Sequence, residues 1–184
     1  MEINDVYDKN RQKTGRTIVR GSSEKLSENE FRLVVFVCVF NSKGELLIQQ
    51  RQPFKSGWAG YWDAVTAGGA AVSGETSQQA AARELFEEVG IRYDFENSTP
   101  HFTINTADCF CDFYLTKQEV NIAGLELGKG EVAQVKWVTK EDMFHMIDNE
   151  RFIPVQRGLV ELCFGLNERR NTLTRDEKAG GLIT

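Results

Sequence analysis

The chain has 184 residues, 41% of them apolar and 27% charged, a balance that suits one folded domain with small extensions and argues against long-range disorder. Its 27 acidic and 22 basic residues give a net charge of −5, so nucleic acid meets no overall electrostatic footprint and is not an expected partner. The longest apolar run, residues 33–40, is too short to span a bilayer. The first ten residues lack the basic-then-apolar pattern of a secretion signal, so the expectation is a cytoplasmic protein with no membrane association.

The elements follow in chain order. Residues 1–30 are polar and predict an N-terminal arm or hairpin packed on a domain spanning 31–170. Residues 32–40 (RLVVFVCVF) read as a buried strand, 41–44 as a turn built on Asn and Gly, and 45–51 (ELLIQQR) as the partner strand. A loop at 53–60 carries Phe54, Lys55 and Trp58. Residues 61–67 read as a short strand that contains Trp62 and leads into Gly68 and Gly69. Strands follow at 102–105, 108–116 and 131–138, with Trp137 as a core residue, then helices at 140–148 and 154–166, the latter with Pro154 in its first turn. The tail 171–184 is polar and expected to fray. Strands interleaved with one central helix and followed by C-terminal helices predict an α/β sandwich around a mixed β-sheet.

Cys38, Cys109, Cys111 and Cys163 lack zinc-site spacing and read as reduced thiols; Cys109 and Cys111 alternate onto one face of a strand. With only His101 and His145 in the chain, a histidine base or a multi-histidine metal site has little to draw on.

Residues 69–91 (GAAVSGETSQQAAARELFEEVGI) carry the chemistry. Thr76 and Gln79 form a T-x-x-Q capping box that starts a helix near Ser77, a run of alanines propagates it, and Gly90 stands where a left-handed cap ends it. At 100° per residue, Glu84, Glu87 and Glu88 share one face and Ala81, Leu85 and Val89 another. Carboxylates at i, i+3 and i+4 repel. A divalent cation turns that liability into a site, and clustered carboxylate oxygens suit Mg²⁺ or Mn²⁺. A solvated charged face is the plain alternative for such a stripe. The surrounding pattern, G-x5-E-x7-R-E-U-x-E-E-x-G-U with U aliphatic, argues against it. Gly69, Glu75, Arg83, Glu84, Leu85, Glu87, Glu88, Gly90 and Ile91 all comply. At average composition a chance match is on the order of one in a million.

This pattern is the signature of the Nudix hydrolases, and the chain resembles that family without departure across the box. The resemblance implies a Nudix-type α/β/α sandwich in which the box forms a loop-helix-loop. It implies hydrolysis of a nucleoside diphosphate linked to another moiety, or of a related organic diphosphate, as a small-molecule substrate. It also implies that Glu84, Glu87 and Glu88 hold Mg²⁺ or Mn²⁺, that the Gly69 carbonyl adds a ligand, that Arg83 and Glu75 orient the others, and that Gly90 closes the helix. A homodimer is compatible with the resemblance.

The general base is either a box glutamate or Glu131, which starts a strand after a Gly-Lys-Gly turn and is also a candidate extra ligand. Arg51 and Lys55 are candidate phosphate contacts, and Trp58 and Phe54 candidate stacking residues at the pocket mouth, set against the ordinary reading of aromatics as core.

The segments 6–15, 40–51 and 60–70 also resemble isopentenyl-diphosphate isomerases and related bacterial Nudix proteins. Aligned through the box, the isomerase cysteine falls on Gly68, and two of its metal-ligand histidines fall on Arg32 and Ala70. Alkene protonation needs a dedicated acid, so hydrolysis is the leading reading. Isomerase-like activity, a non-catalytic nucleotide-binding module and RNA-end processing stand behind it.

Overall fold

The computed structural model describes residues 2–149 and 151–168, with the backbone of 175–176 and 181–182. Its centre is a forked, mixed sheet. Strand β3 (Arg32–Phe40) turns through 41–45 into β4 (Leu46–Arg51), and the two pair only at Val39–Leu47 and Phe40–Leu46. Beyond that point they part. β3 continues between β6 (Ala67–Ala70), antiparallel, and β8 (Cys109–Lys117), parallel, with β7 (Phe102–Asn105) on the outer edge of β8. β4 continues between β5 (Trp62–Asp63) and β9 (Val132–Val138). Thr66 sits in the crotch. Its hydroxyl accepts from Val39 N–H at 2.9 Å and donates to the Leu47 carbonyl at 2.6 Å, satisfying backbone groups that the parting strands leave to each other.

The period-2 alternation of β3 sorts two cores. Leu33, Val35, Val37 and Val39 face helix α1 (Ser77–Val89), together with Leu47, Phe110 and Tyr114. Cys38 and Phe40 face the opposite side, where Cys109, Cys111, Phe113, helix α2 (Lys140–Asn149) and helix α3 (Arg157–Glu168) pack. This is the α/β/α sandwich that the pattern predicts. Cys109 and Cys111 do share a face, and all four cysteines are buried free thiols.

Two expected elements are corrected. The strand expected at 61–67 is only Trp62–Asp63, and the Gly68–Gly69 pair lies inside β6 rather than after a strand. The cause is the bend at 64–66 that lets Thr66 bridge the fork. Helix α3 starts at Arg157, not at Pro154. Trp62 N–H donates to the Arg151 carbonyl and Ile153 N–H to the Trp62 carbonyl, both at 2.8 Å, so the chain is held extended against β5 up to Pro154.

Residues 3–19 form an antiparallel hairpin, β1 (Ile3–Tyr7) and β2 (Lys13–Val19), joined to the domain through paired hydrogen bonds between Tyr7 and Phe31. Within the polar tail 171–184, only a paired backbone segment (Arg175–Asp176 with Gly181–Leu182) is described; the rest, and the fraying expected of it, lie outside the described residues. Among the described residues no helix is long and apolar enough to cross a membrane.

Candidate active site

Helix α1 begins and ends where local chemistry dictates. Gln79 N–H donates to the Thr76 hydroxyl at 3.2 Å, and Thr76 N–H donates to the Gln79 side chain at 2.9 Å, a reciprocal capping box. Gly90 leaves the helix at φ 71°, and a Cβ there would lie 2.9 Å from the Glu126 carbonyl oxygen. Both the conformation and the close approach require glycine. The buried face carries Ala80, Ala81, Leu85 and Val89, but also Glu84 at 9% and Glu88 at 5% exposure. Two buried carboxylates on adjacent turns are the unusual feature of the helix.

Arg83 organises most of the acidic stripe. Its guanidinium donates to both oxygens of Glu75, at 2.7 and 3.0 Å, to Glu84 at 2.8 Å, to Glu87 at 3.1 Å and to the Ala70 carbonyl at 3.1 Å. The fork-shaped pairing with Glu75 is what lysine cannot reproduce, and it holds Arg83 firmly protonated, with Glu84 adding to the effect. Glu87 is the exposed member of the stripe.

Glu88 looks elsewhere. It accepts from Gln49 Nε2 at 2.7 Å and from Gly68 N–H at 3.3 Å. Burial pushes its pKa up to about 8, against the Gln49 hydrogen bond, and the charges of Glu84 and Asp63 push the same way. Burial also raises Glu84, partly offset by Arg83. Asp63 lies across from Gln49, and burial brings it to about 6 despite the pull of Arg51.

The glutamates are thus brought onto one side of α1 but not into one coordination sphere. Among the described residues, no three acidic, histidine or cysteine side chains form a ready metal cluster. Like charges at this spacing repel, and each carboxylate takes its nearest donor.

The Gly69 carbonyl is a correction as well. Ala71 N–H donates to Leu33, and Gly69 stands opposite Val35. Alternation along an antiparallel ladder therefore turns Gly69's polar groups toward β3. The backbone groups facing α1 belong to Gly68 and Ala70, as their bonds to Glu88 and Arg83 attest. Gly69 contributes space instead: a Cβ there would lie 2.3 Å from Glu84 Oε1.

An oxygen-only donor set, a glycine that makes room for a buried carboxylate, and two carboxyls destabilised as anions together fit a hard divalent cation such as Mg²⁺ or Mn²⁺. Glu84, Glu87 and Glu88 are the side chains that would hold it, with the Gly68 carbonyl the backbone oxygen on the right edge.

A second group forms at the start of β9. Lys55 Nζ and Glu131 Oε2 are 2.5 Å apart. Gln52 bonds the Glu131 and Val132 carbonyls, tying the loop at 52–61 to β9. Gly128 N–H donates to the Glu88 carbonyl at 2.8 Å, which places the turn before Glu131 on the end of α1. Arg51 Nε donates to the Gly57 carbonyl and so braces the loop from within. Phe54 and Trp58 are exposed at 68% and 50%. Trp58 has φ 54°, strained for an aromatic residue, and packs edge-on against Tyr61 with ring centroids 5.3 Å apart. Trp62 is buried, whereas Trp137 is only partly so.

Sequence reasoning missed Gln49, Asp63, Gly68 and Ala70. Gln49 had a signal: it shares strand parity with the core residue Leu47, and a polar side chain at a core position demands a partner.

An α/β/α sandwich whose forked sheet lodges an arginine-laced, acidic loop-helix-loop defines a class of enzyme that acts on phosphorus-containing acid anhydrides. The comparisons with known proteins make the assignment specific. A model of the NUDIX domain matches residues 30–162. An uncharacterised Nudix hydrolase of Listeria monocytogenes is 45% identical over 154 residues, covering 84% of this chain and 89% of that protein. An isopentenyl-diphosphate Δ-isomerase of Pectobacterium atrosepticum is 36% identical over 99 residues, 54% of this chain and 51% of its own length. In fold, a crystal structure from Deinococcus radiodurans aligns with a TM-score of 0.71 at 24% identity, covering 88% of this chain and 99% of that one. The chain belongs to the Nudix family, hydrolases of diphosphate (pyrophosphate) bonds that generally use divalent metal ions.

Proposed function

We propose that this chain is a Mg²⁺- or Mn²⁺-dependent hydrolase of a diphosphate bond in a nucleoside diphosphate linked to another moiety, or in a related organic diphosphate, and that it acts in the cytoplasm. The observation that carries the reading is the pair of buried carboxylates, Glu84 and Glu88, on adjacent turns, with Arg83 the cation that contacts only the first. Burying two like charges this close is costly, and a divalent cation offsets that cost.

When bound, the metal neutralises phosphate charge and acidifies a coordinated water. The chain's own groups then have distinct tasks. Glu84, Glu87 and Glu88 hold the cation. Arg83 and Glu75 fix the orientation of Glu84 and Glu87. Glu131, released from Lys55, takes the proton of the attacking water, and Lys55, released in turn, meets a phosphate oxygen. Trp58 and Phe54 offer exposed rings for a flat group of the substrate. Arg51, its Nε on the loop carbonyl of Gly57, meets a phosphate oxygen through its remaining guanidinium N–H groups.

A screen with each metal, in which the phosphomonoester, pyrophosphate or phosphate products are separated by chromatography, tests the reading across nucleoside triphosphates, nucleotide sugars, ADP-ribose, dinucleotides and prenyl diphosphates. Metal-dependent cleavage of the diphosphate bond in at least one class is expected. Isomerisation of isopentenyl diphosphate with the diphosphate retained overturns it. Glu131→Gln tests the base: the expected loss in kcat is about 100-fold, the low end for general-base removal, and an unchanged kcat removes Glu131 from that role.

A further inference from the structure

The N-terminal hairpin lies outside the stretch that matches the family domain, yet it grips the loop that delivers α1. Ser73 N–H donates to the Ile3 carbonyl at 2.7 Å. Asn4, 1% exposed, donates from Nδ2 to the Ala71 carbonyl at 2.8 Å. Asp5 spans the next turn: Ser73 Oγ donates to one carboxylate oxygen at 2.7 Å and Gly74 N–H to the other at 2.9 Å. Burial raises the Asp5 pKa, but these donors and Lys13 outweigh it and keep the group below the usual carboxylate range. Every residue from Ala71 to Gly74 except Val72 is therefore tied to β1, and Val72 is tied to Glu75.

The hairpin's far end holds the first turn of the helix. Arg11, in the left-handed region at φ 61°, donates to both oxygens of Asp112 at 2.9 and 2.7 Å. Asp112 is fully buried and accepts from Thr103 at 2.6 Å and from Ser77 at 2.7 Å. Ser77 is the first residue of α1, and its hydroxyl accepts from Tyr114 at 2.8 Å. A bidentate charge pair placed through such a network gives a fixed geometry, not merely attraction. A strained φ at Arg11 persists only where the surroundings over-determine it.

Loop 71–76 and the first turn set the position of α1 along its own axis, and hence the distance of Glu84 and Glu88 from β6. We infer that the hairpin is a positioning element of the acidic cradle, with Asp5 and Arg11 its positioning residues: Asp5 acts through Ser73 and Gly74, and Arg11 through Asp112 and Ser77. The inference rests on the reading of Glu84, Glu87 and Glu88 as metal holders. The Glu2–Arg20 pair at the open end of the hairpin supports it, since Glu2 lies within electrostatic reach of Arg83, and Arg20 of Glu84 and Glu131.

Direct Mn²⁺ binding to the full chain, followed by electron paramagnetic resonance, tests it without a substrate. Asp5→Ala and the charge-balanced double variant Arg11→Met/Asp112→Asn are expected to weaken Mn²⁺ binding about 3- to 10-fold, at or below the low end seen for residues that orient ligands. The bound-Mn²⁺ spectrum is expected to broaden while circular dichroism stays native. Val6→Ala, a core substitution in the same strand that touches none of these bonds, is the control. It lowers the Tm and leaves Mn²⁺ binding intact. Equal Mn²⁺ binding by wild type and both hairpin variants overturns the inference. So does a Val6→Ala variant that weakens binding as much as they do. A wild type that binds no Mn²⁺ overturns the cradle reading itself, and this inference with it.

Discussion

Helix α1 and the loop at 52–61 both reach the start of β9, through Gly128 on Glu88 and through Lys55 on Glu131, and are built on opposite terms. The helix is over-determined in its backbone and costly in its charges. A capping box, a left-handed glycine, an apolar stripe and the Arg83–Glu75 fork all specify one conformation, while Glu84 and Glu88 are buried where carboxylates are unfavourable as anions. The loop is the reverse. Its one charge, Lys55, is paired with Glu131, but it carries exposed rings and a strained Trp58. The contrast separates a rigid part whose burial is costly from an exposed loop that the proposed function assigns to substrate contact.

The sharpest break of that comparison is Glu88→Gln. Metal-dependent activity is expected to fall at least about 100-fold, beyond the loss typical of groups that only orient ligands. Stability moves the other way. A carboxyl whose folded pKa is about 8, against an ordinary 4.5, keeps in the folded state a proton that the unfolded chain has lost. Its contribution therefore erodes stability as pH rises from about 4.5 to about 8. Wild type and variant are expected to melt together at pH 4. At pH 8 the metal-free variant should gain on the order of 2–4 kcal/mol, read by thermal denaturation across pH. Metal affinity of the wild type should rise with pH over the same window, since binding displaces the proton held among Gln49, Gly68, Glu84 and Asp63. A flat profile would remove Glu88 as a holder of the ion.

Arg83→Lys probes the rigid side more gently. Lysine keeps the charge and loses the fork, so activity should drop by about 10- to 100-fold, with kcat rather than KM carrying the loss. A KM effect alone would move Arg83 from alignment to substrate binding.

The smallest expected change is on the loop. Trp58→Ala should raise KM about 2- to 10-fold, the worth of one aromatic contact, and leave kcat and the Tm essentially in place. Unchanged affinity for every accepted substrate would remove Trp58 from the pocket.

Legibility in the sequence divides along the same line. Thr76, Gln79 and Gly90 announce the limits of α1 because capping is settled within a few residues. The alternation that puts Cys109 and Cys111 on one strand face is likewise local. What could not be read depends on chain that returns from afar. Gly68 and Gly69 read as the residues after a strand until β3 supplies a partner. Pro154 looks like a helix start until Trp62 claims its neighbours. The aim of the Gly69 carbonyl, decided by ladder phase against Val35, is invisible to a motif.

The fork of the sheet has one last consequence. Because β3 and β4 separate, β6 presents a free border, and α1 is stitched to that border through Glu88 on Gly68 and Arg83 on Ala70. A helix merely resting on a sheet can roll about its long axis at little expense. Here any roll would strip two backbone groups of their partners at once, so the azimuth of the acidic stripe is indexed by the sheet before any ligand arrives.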